Sequence, residues 1–127
     1  MIASARSRWI ALGALLWVVS LAGTPAEAHA VLVRSSPSHR EVLGRGPEQV
    51  QLWFNERLEP AYSTVSVWNE AGGQVDGHDV TVGPDDPKRL SVSLPARGPG
   101  VFTVKYRVLS VDGHVVDSQF TFTVRRP

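Results

Sequence analysis

Three residues, one near the start of this chain and two close together near its end, combine donor types that could bind a metal. His29 directly follows Ala26-Glu27-Ala28, a small-x-small run of the kind a signal peptidase cuts. Cleavage there makes His29 the first residue of the mature protein. A histidine with a free α-amine offers two nitrogen donors on one short residue, a strong chelating unit for Cu(II). Much later, Asp112-Gly113-His114 sets a carboxylate and an imidazole on either side of a glycine. In extended backbone, residues i and i+2 point the same way, and Gly113 lets the chain bend with no side chain in the way. Taken alone, this pair reads as a polar turn with a half-exposed histidine.

Together the three residues supply more. The amine and imidazole of His29 and the imidazole of His114 form a T-shaped, near-planar nitrogen set, and Asp112 adds an oxygen. Tetragonal N/O geometry is what Cu(II) prefers, and Cu(II) heads the divalent affinity order. The chain has no cysteine, and its one methionine is Met1. Thiolate and thioether sites are therefore excluded from the mature chain. The remaining donors suit Cu(II), Ni(II) or Zn(II), not Cu(I). Ala28-His29-Ala30 is also small-x-small, and a cut after Ala30 would remove the amine–imidazole unit.

The segment before His29 has the order of an export signal. Arg6 and Arg8 give a basic start, Trp9 to Ala22 carries no charge, and Thr24-Pro25 breaks the run. That apolar stretch is shorter than the roughly 20 residues a membrane-spanning helix needs. Residues 1–28 are read as a signal peptide and 29–127 as one domain, large enough for a single core. The signal takes Arg6, Arg8 and Glu27 from totals of 13 basic and 12 acidic residues, so the remainder is formally neutral. A neutral domain has no bulk electrostatic reason to bind nucleic acid or anionic lipid. Without disulfides, an exported small domain must hold by core packing. A soluble monomer in the periplasm or outside the cell is expected.

Period-two alternation predicts the elements that position the donors. Phe102, Val104, Tyr106 and Val108 share one strand face, as do Phe120, Phe122 and Val124. Leu90, Val92 and Leu94 repeat the pattern, as do Val50, Leu52 and Phe54, with Val65 and Val67 in a shorter strand. Val31–Val33 and Gln74–Val82 are weaker candidates, and Glu56–Ala61 is the one stretch with a hint of helix. Gly- and Pro-rich turns separate these runs. About seven short strands in roughly 100 residues predict an all-β, immunoglobulin-like antiparallel β-sandwich with Greek-key connections. Loops cluster at the two ends of such a sandwich, so the strand after His29 and the loop at His114 could meet at one end.

His29-Ala30, Ser35-Ser36-Pro37, Leu52-Trp53-Phe54-Asn55-Glu56, Leu58-Glu59-Pro60 and the run from Gly100 through Asp112-Gly113-His114 to Val124 resemble the CopC family of periplasmic copper-binding, copper-resistance proteins. The resemblance covers essentially the whole mature chain. It implies Cu(II) ligation by His29, Asp112 and His114, with Glu56 near the metal as ligand or neighbour. It also implies work beside a membrane copper transporter. Some members have a Met-rich loop that binds Cu(I) with a histidine. His78 falls in that region here, but no methionine accompanies it, so one Cu(II) per mature chain and no Cu(I) site are expected.

The function this reading favours is an exported Cu(II) carrier or buffer in copper resistance or homeostasis, without catalysis. One alternative is a histidine-brace copper monooxygenase, which needs open coordination positions that Asp112 near the metal would disfavour. The other is a metal-free interaction module on the same fold, since a fold does not fix a function. Nucleophilic catalysis finds no cysteine and no serine in an elbow motif. Asp76, His78 and Asp79 lie among glycines and read as a solvated loop, and His39 as a surface loop. Trp53 and Trp68, on the outward phase of their strands, read as packing on neighbouring side chains.

Overall fold

The alternating runs become strands whose every second residue is buried. The computed structural model describes residues 30–127, so His29 and the signal segment lie outside the described residues. The strands are β1 (Leu32–Ser36), β2 (Val42–Leu43), β3 (Gln49–Phe54), β4 (Thr64–Trp68), β5 (Thr81–Val82), β6 (Arg89–Ser93), β7 (Gly100–Leu109) and β8 (Val115–Val124). Among the described residues no helix is long and apolar enough to cross a membrane.

Two four-stranded sheets face each other, one in the order β1-β3-β6-β5 and the other β2-β8-β7-β4. All pairings are antiparallel except β2 with β8, which is parallel. The inward phases meet between the sheets: Val50, Leu52 and Phe54 from β3, Leu90 and Val92 from β6, Val65 and Val67 from β4, Phe102 to Val108 from β7, and Phe120 to Val124 from β8. Phe54 meets Tyr106 edge to face across the gap, with centroids 5.6 Å apart, and Phe102 stacks on Phe122 at 5.2 Å. Full burial of one such side chain contributes about 1.5–3 kcal/mol. With no cysteine in the chain, this packing carries the fold.

Three expectations shift. The helical hint at Glu56–Ala61 becomes an extended connector followed by a single 3-10 turn at Pro60–Tyr62. Its backbone hydrogen bonds go across to Val31, Pro87, Leu109 and Val111, and Pro60 supplies no N–H to a helix. Of Gln74–Val82 only Thr81–Val82 is strand, while Gln74 makes one bridge to Trp68. Strand β8 begins at Val115, before the alternation at Gln119 becomes visible, because pairing with β7 runs without a break from Gly100↔Val124 to Leu109↔Val115.

Candidate metal centre

The β7–β8 ladder ends at Leu109↔Val115, and the residues between must reverse the chain. Ser110 N–H donates to the His114 carbonyl (3.0 Å), and Gly113 N–H to the Ser110 carbonyl (2.9 Å). Gly113 has φ +92°, left-handed backbone that a residue with a Cβ adopts only at a cost. Ser110 continues the inward phase of β7 and is fully buried. Its hydroxyl donates to Asp112 Oδ1 and accepts from the His114 N–H at 3.3 Å. One buried hydroxyl thus orients both candidate ligands.

The turn brings Asp112 and His114 together. Asp112 Oδ1 lies 3.3 Å from His114 Nδ1, and each side chain is 37% exposed. The Ser110 hydroxyl, with a smaller contribution from His114, holds the Asp112 carboxyl below its ordinary range. A carboxylate kept ionised is an anionic oxygen donor. Two donors at this separation can share one ion, since bonds from zinc to the same atom types are about 2 Å long.

A second loop adjoins this turn. The connector Asn55–Glu59 hydrogen-bonds to both the start of the described chain and the end of β7. At one end, Val31 N–H donates to Asn55 Oδ1 (2.7 Å), and Asn55 N–H donates to the Val31 carbonyl (3.1 Å). At the other, Val111 N–H donates to the Arg57 carbonyl (3.0 Å), and Glu59 N–H to the Leu109 carbonyl (2.8 Å). Between them Leu58 bridges Ser110 and is buried. Glu56, half-buried, belongs to this connector. Ala30 is buried in the core and shares with Val116 an apolar cavity of about 570 Å³. Ala30, Glu56 and the Asp112–His114 turn therefore sit at one end of the sandwich. Among the described residues no three His, Asp or Glu side chains form a group able to hold a metal. Asp112 and His114 supply two donors, and the third candidate, His29, lies outside the described residues.

The sequence reading passed over Ser110 and Asn55. Ser110 did leave a signal, a polar residue in the apolar phase of the longest strand. Asn55 appeared only as part of the Leu52–Glu56 run that carries the resemblance, because its own role depends on pairing with Val31.

The solvated-loop reading of Asp76 is corrected. Asp76 is 5% exposed, and its carboxylate accepts from Val67 N–H (2.8 Å), Gln74 Nε2 (3.0 Å) and His78 N–H (3.0 Å). It fastens the Gln74–His78 loop to β4, because a buried carboxylate must have its lone pairs satisfied. Asp79 accepts from Ser93 N–H at 2.9 Å, and that bond holds its carboxyl below the ordinary value. His78 itself stays 70% exposed. His39 is exposed and meets Phe120 edge to face. Trp53 lies under the Arg34 guanidinium (3.9 Å) and Trp68 under the Lys105 ammonium (5.0 Å), so both pack on neighbours as expected.

A family model described as the CopC domain matches residues 32–125. The chain is 32% identical over 120 residues to the copper transport protein CutJ of Bacillus subtilis (strain 168), covering 94% of this chain and 22% of that protein. The chain thus spans about a fifth of CutJ's length. It is 30% identical over 126 residues to protein YobA of Escherichia coli (strain K12), covering 98% of this chain and all of YobA. Among solved structures, CopC from Methylosinus trichosporium OB3b superposes with a TM-score of 0.70 at 38% identity, covering 76% of this chain and 93% of that one. PcoC from Escherichia coli, described as a methionine rich copper resistance protein, gives 0.66 at 28% identity, covering 77% and 100%.

Proposed function

The chain belongs to the CopC family of copper-handling proteins, and from that premise we propose that it is an exported Cu(II) carrier or buffer. Its site takes one cupric ion through the α-amine and imidazole of a mature N-terminal His29, the imidazole of His114 and the carboxylate of Asp112. Glu56 stands beside the ion as a further oxygen ligand or a neighbour. The observation that carries this reading is the pairing of Asp112 Oδ1 with His114 Nδ1 at 3.3 Å, at the end of the sandwich where Ala30 is buried.

The chemistry follows from the donors. Borderline nitrogen and hard oxygen select Cu(II). With no cysteine and with Met1 the only methionine, nothing soft remains to hold Cu(I). Protein donors fill the coordination plane, which favours holding the ion over reacting at it. Protons compete with the metal for imidazole and amine nitrogens, so acid releases it. Residues 1–28 act as a signal peptide, and the domain works as a monomer in the periplasm or outside the cell, handing copper to or from a membrane transporter.

The test is a Cu(II) titration of the exported, processed protein, followed by electron paramagnetic resonance after its N-terminus has been sequenced. One tetragonal, nitrogen-rich Cu(II) per chain is expected. Equal affinity in a protein carrying an extra residue before His29 overturns the role of the N-terminus. No Cu(II) binding by the processed protein overturns the copper site altogether.

A further inference from the structure

The connector between β3 and the 3-10 turn performs an unusual substitution. Leu32 pairs with Phe54 at the end of the β1–β3 ladder. One residue further on, Val31 and Asn55 still exchange two hydrogen bonds, but the acceptor for the Val31 N–H is the Asn55 side-chain oxygen at 2.7 Å, not its backbone carbonyl. An asparagine amide mimics a peptide group. It extends the ladder while the backbone itself departs. That backbone bends at Asn55 and Glu56 and within two residues reaches Val111 through the Arg57 carbonyl. A backbone-only ladder at residue 55 would hold the chain along β1 and away from the Asp112–His114 turn.

Resting on the copper reading above, we propose that Asn55 is the positioning residue of the copper site. It touches no ligand among the described residues. It fixes Val31, and with it Ala30 at the start of the described residues, in register with the connector that bonds to Leu109 and Val111. A residue bonded to Ala30 has its Cα about 3.8 Å from that of Ala30, so the anchor limits where an N-terminal donor can reach. Without it the start of the described chain keeps only the Asn55 N–H bond to the Val31 carbonyl and the burial of Ala30, so the metal must supply more of the ordering of the terminal donors, and that ordering opposes binding.

The structure contains its own control. At the other end of β7, Glu70 Oε1 accepts from the Val101 N–H at 2.6 Å, the same kind of side-chain bond to strand backbone. Val101 lies near the far end of β7, a strand whose ten residues span about 30 Å. Substitutions there report the cost of losing such a bond without touching the site.

The experiment compares N55A, N55D and E70A in the exported, processed protein. Three quantities are read: Cu(II) affinity, the electron paramagnetic resonance spectrum, and amide hydrogen exchange at Val31 in metal-free protein. N55A is expected to weaken Cu(II) binding by about tenfold, the worth of one ordered hydrogen bond, to replace the single parental spectrum by a mixture, and to speed Val31 exchange. N55D keeps an accepting oxygen and restores the single spectrum. E70A lowers the thermal midpoint and leaves spectrum and affinity unchanged. Parental affinity and spectrum in N55A overturn the inference, as does an equal loss of copper in E70A. If N55A does not fold, N55S, which withdraws the acceptor by shortening the side chain, is read by the same criteria. Failure of the unsubstituted protein to bind Cu(II) removes the copper reading itself, whereas normal binding with an indifferent N55A removes only this inference.

Discussion

Asp112 and His114 face each other at 3.3 Å across a turn held by the hydroxyl of Ser110. Ser110 is fully buried, and its hydroxyl bonds the Asp112 carboxylate and the His114 backbone N–H, although both side chains reach solvent. Rigid support beneath exposed donors is the arrangement a binding site needs: the core holds the turn, and the ligand meets groups already in place.

Replacing either donor should therefore weaken copper binding while sparing the fold. D112N keeps the shape of the carboxylate and loses its charge. H114A loses a nitrogen. Each is expected to lower Cu(II) affinity by at least about tenfold, the lower end of what even supporting residues of metal sites cost. Competition against a chromophoric chelator measures it, and unchanged far-ultraviolet circular dichroism shows that the sandwich is intact.

Gly113 offers a gentler perturbation. Nothing lies within 4 Å of a Cβ built there, so G113A meets no clash, but its φ of +92° is strained for any other residue. A loss of about 1–2 kcal/mol of stability is expected from backbone alone, read by urea denaturation, with a shifted copper spectrum because the turn carries both donors.

Copper should stabilise the processed chain by an amount that grows with the logarithm of its free concentration relative to Kd. At a free concentration of 100 times Kd the gain is about 2.7 kcal/mol, visible as a raised thermal midpoint. A protein extended before His29 should show a far smaller rise at the same copper concentration.

Asp76 makes the opposite prediction. D76A strips the acceptor from the backbone N–H groups of Val67 and His78 and from the Gln74 amide. Leaving the buried Val67 N–H unsatisfied costs about 1–3 kcal/mol, so the midpoint should fall clearly while Cu(II) affinity stays constant. Loss of copper in D76A or H78A would place the metal elsewhere.

Acid sensitivity has a separate signature at Asp79. Its carboxyl titrates below the ordinary value of 3.8, chiefly because it accepts the Ser93 N–H. A depressed folded pKa contributes stability that is complete above the unfolded value and is lost as pH falls through the folded one. The effect therefore sets in as pH falls towards the ordinary carboxylate value of 3.8 and deepens below it. D79N should flatten the acid limb of the stability curve and leave copper release unchanged, as followed by circular dichroism and copper absorbance on the same acid titration.

How much of this was legible before folding depends on the distance over which each determinant acts. The alternation in β3, β4, β6, β7 and β8 is local, so the sandwich could be read from spacing, and the absence of soft donors from composition. The Asp112-Gly113-His114 segment is also local, and its two donors do converge, but through a hydrogen-bonded turn with Gly113 at φ +92° and not through extended i, i+2 backbone. β2 could not be read: two residues carry no period, and they are strand only because β8 offers Thr123 and Val124 as partners. Asp76 looked solvated among its glycines, and only the approach of β4 buries it. Asn55 bonds Val31 across 24 positions, and Ser63 bonds Leu109 across 46; neither pairing exists until the strands are in register. Donor chemistry and strand periodicity are written residue by residue. Which loops share an end of the sandwich, and what orients the donors there, is decided only when distant hydrogen-bonding groups lose water together and must find one another.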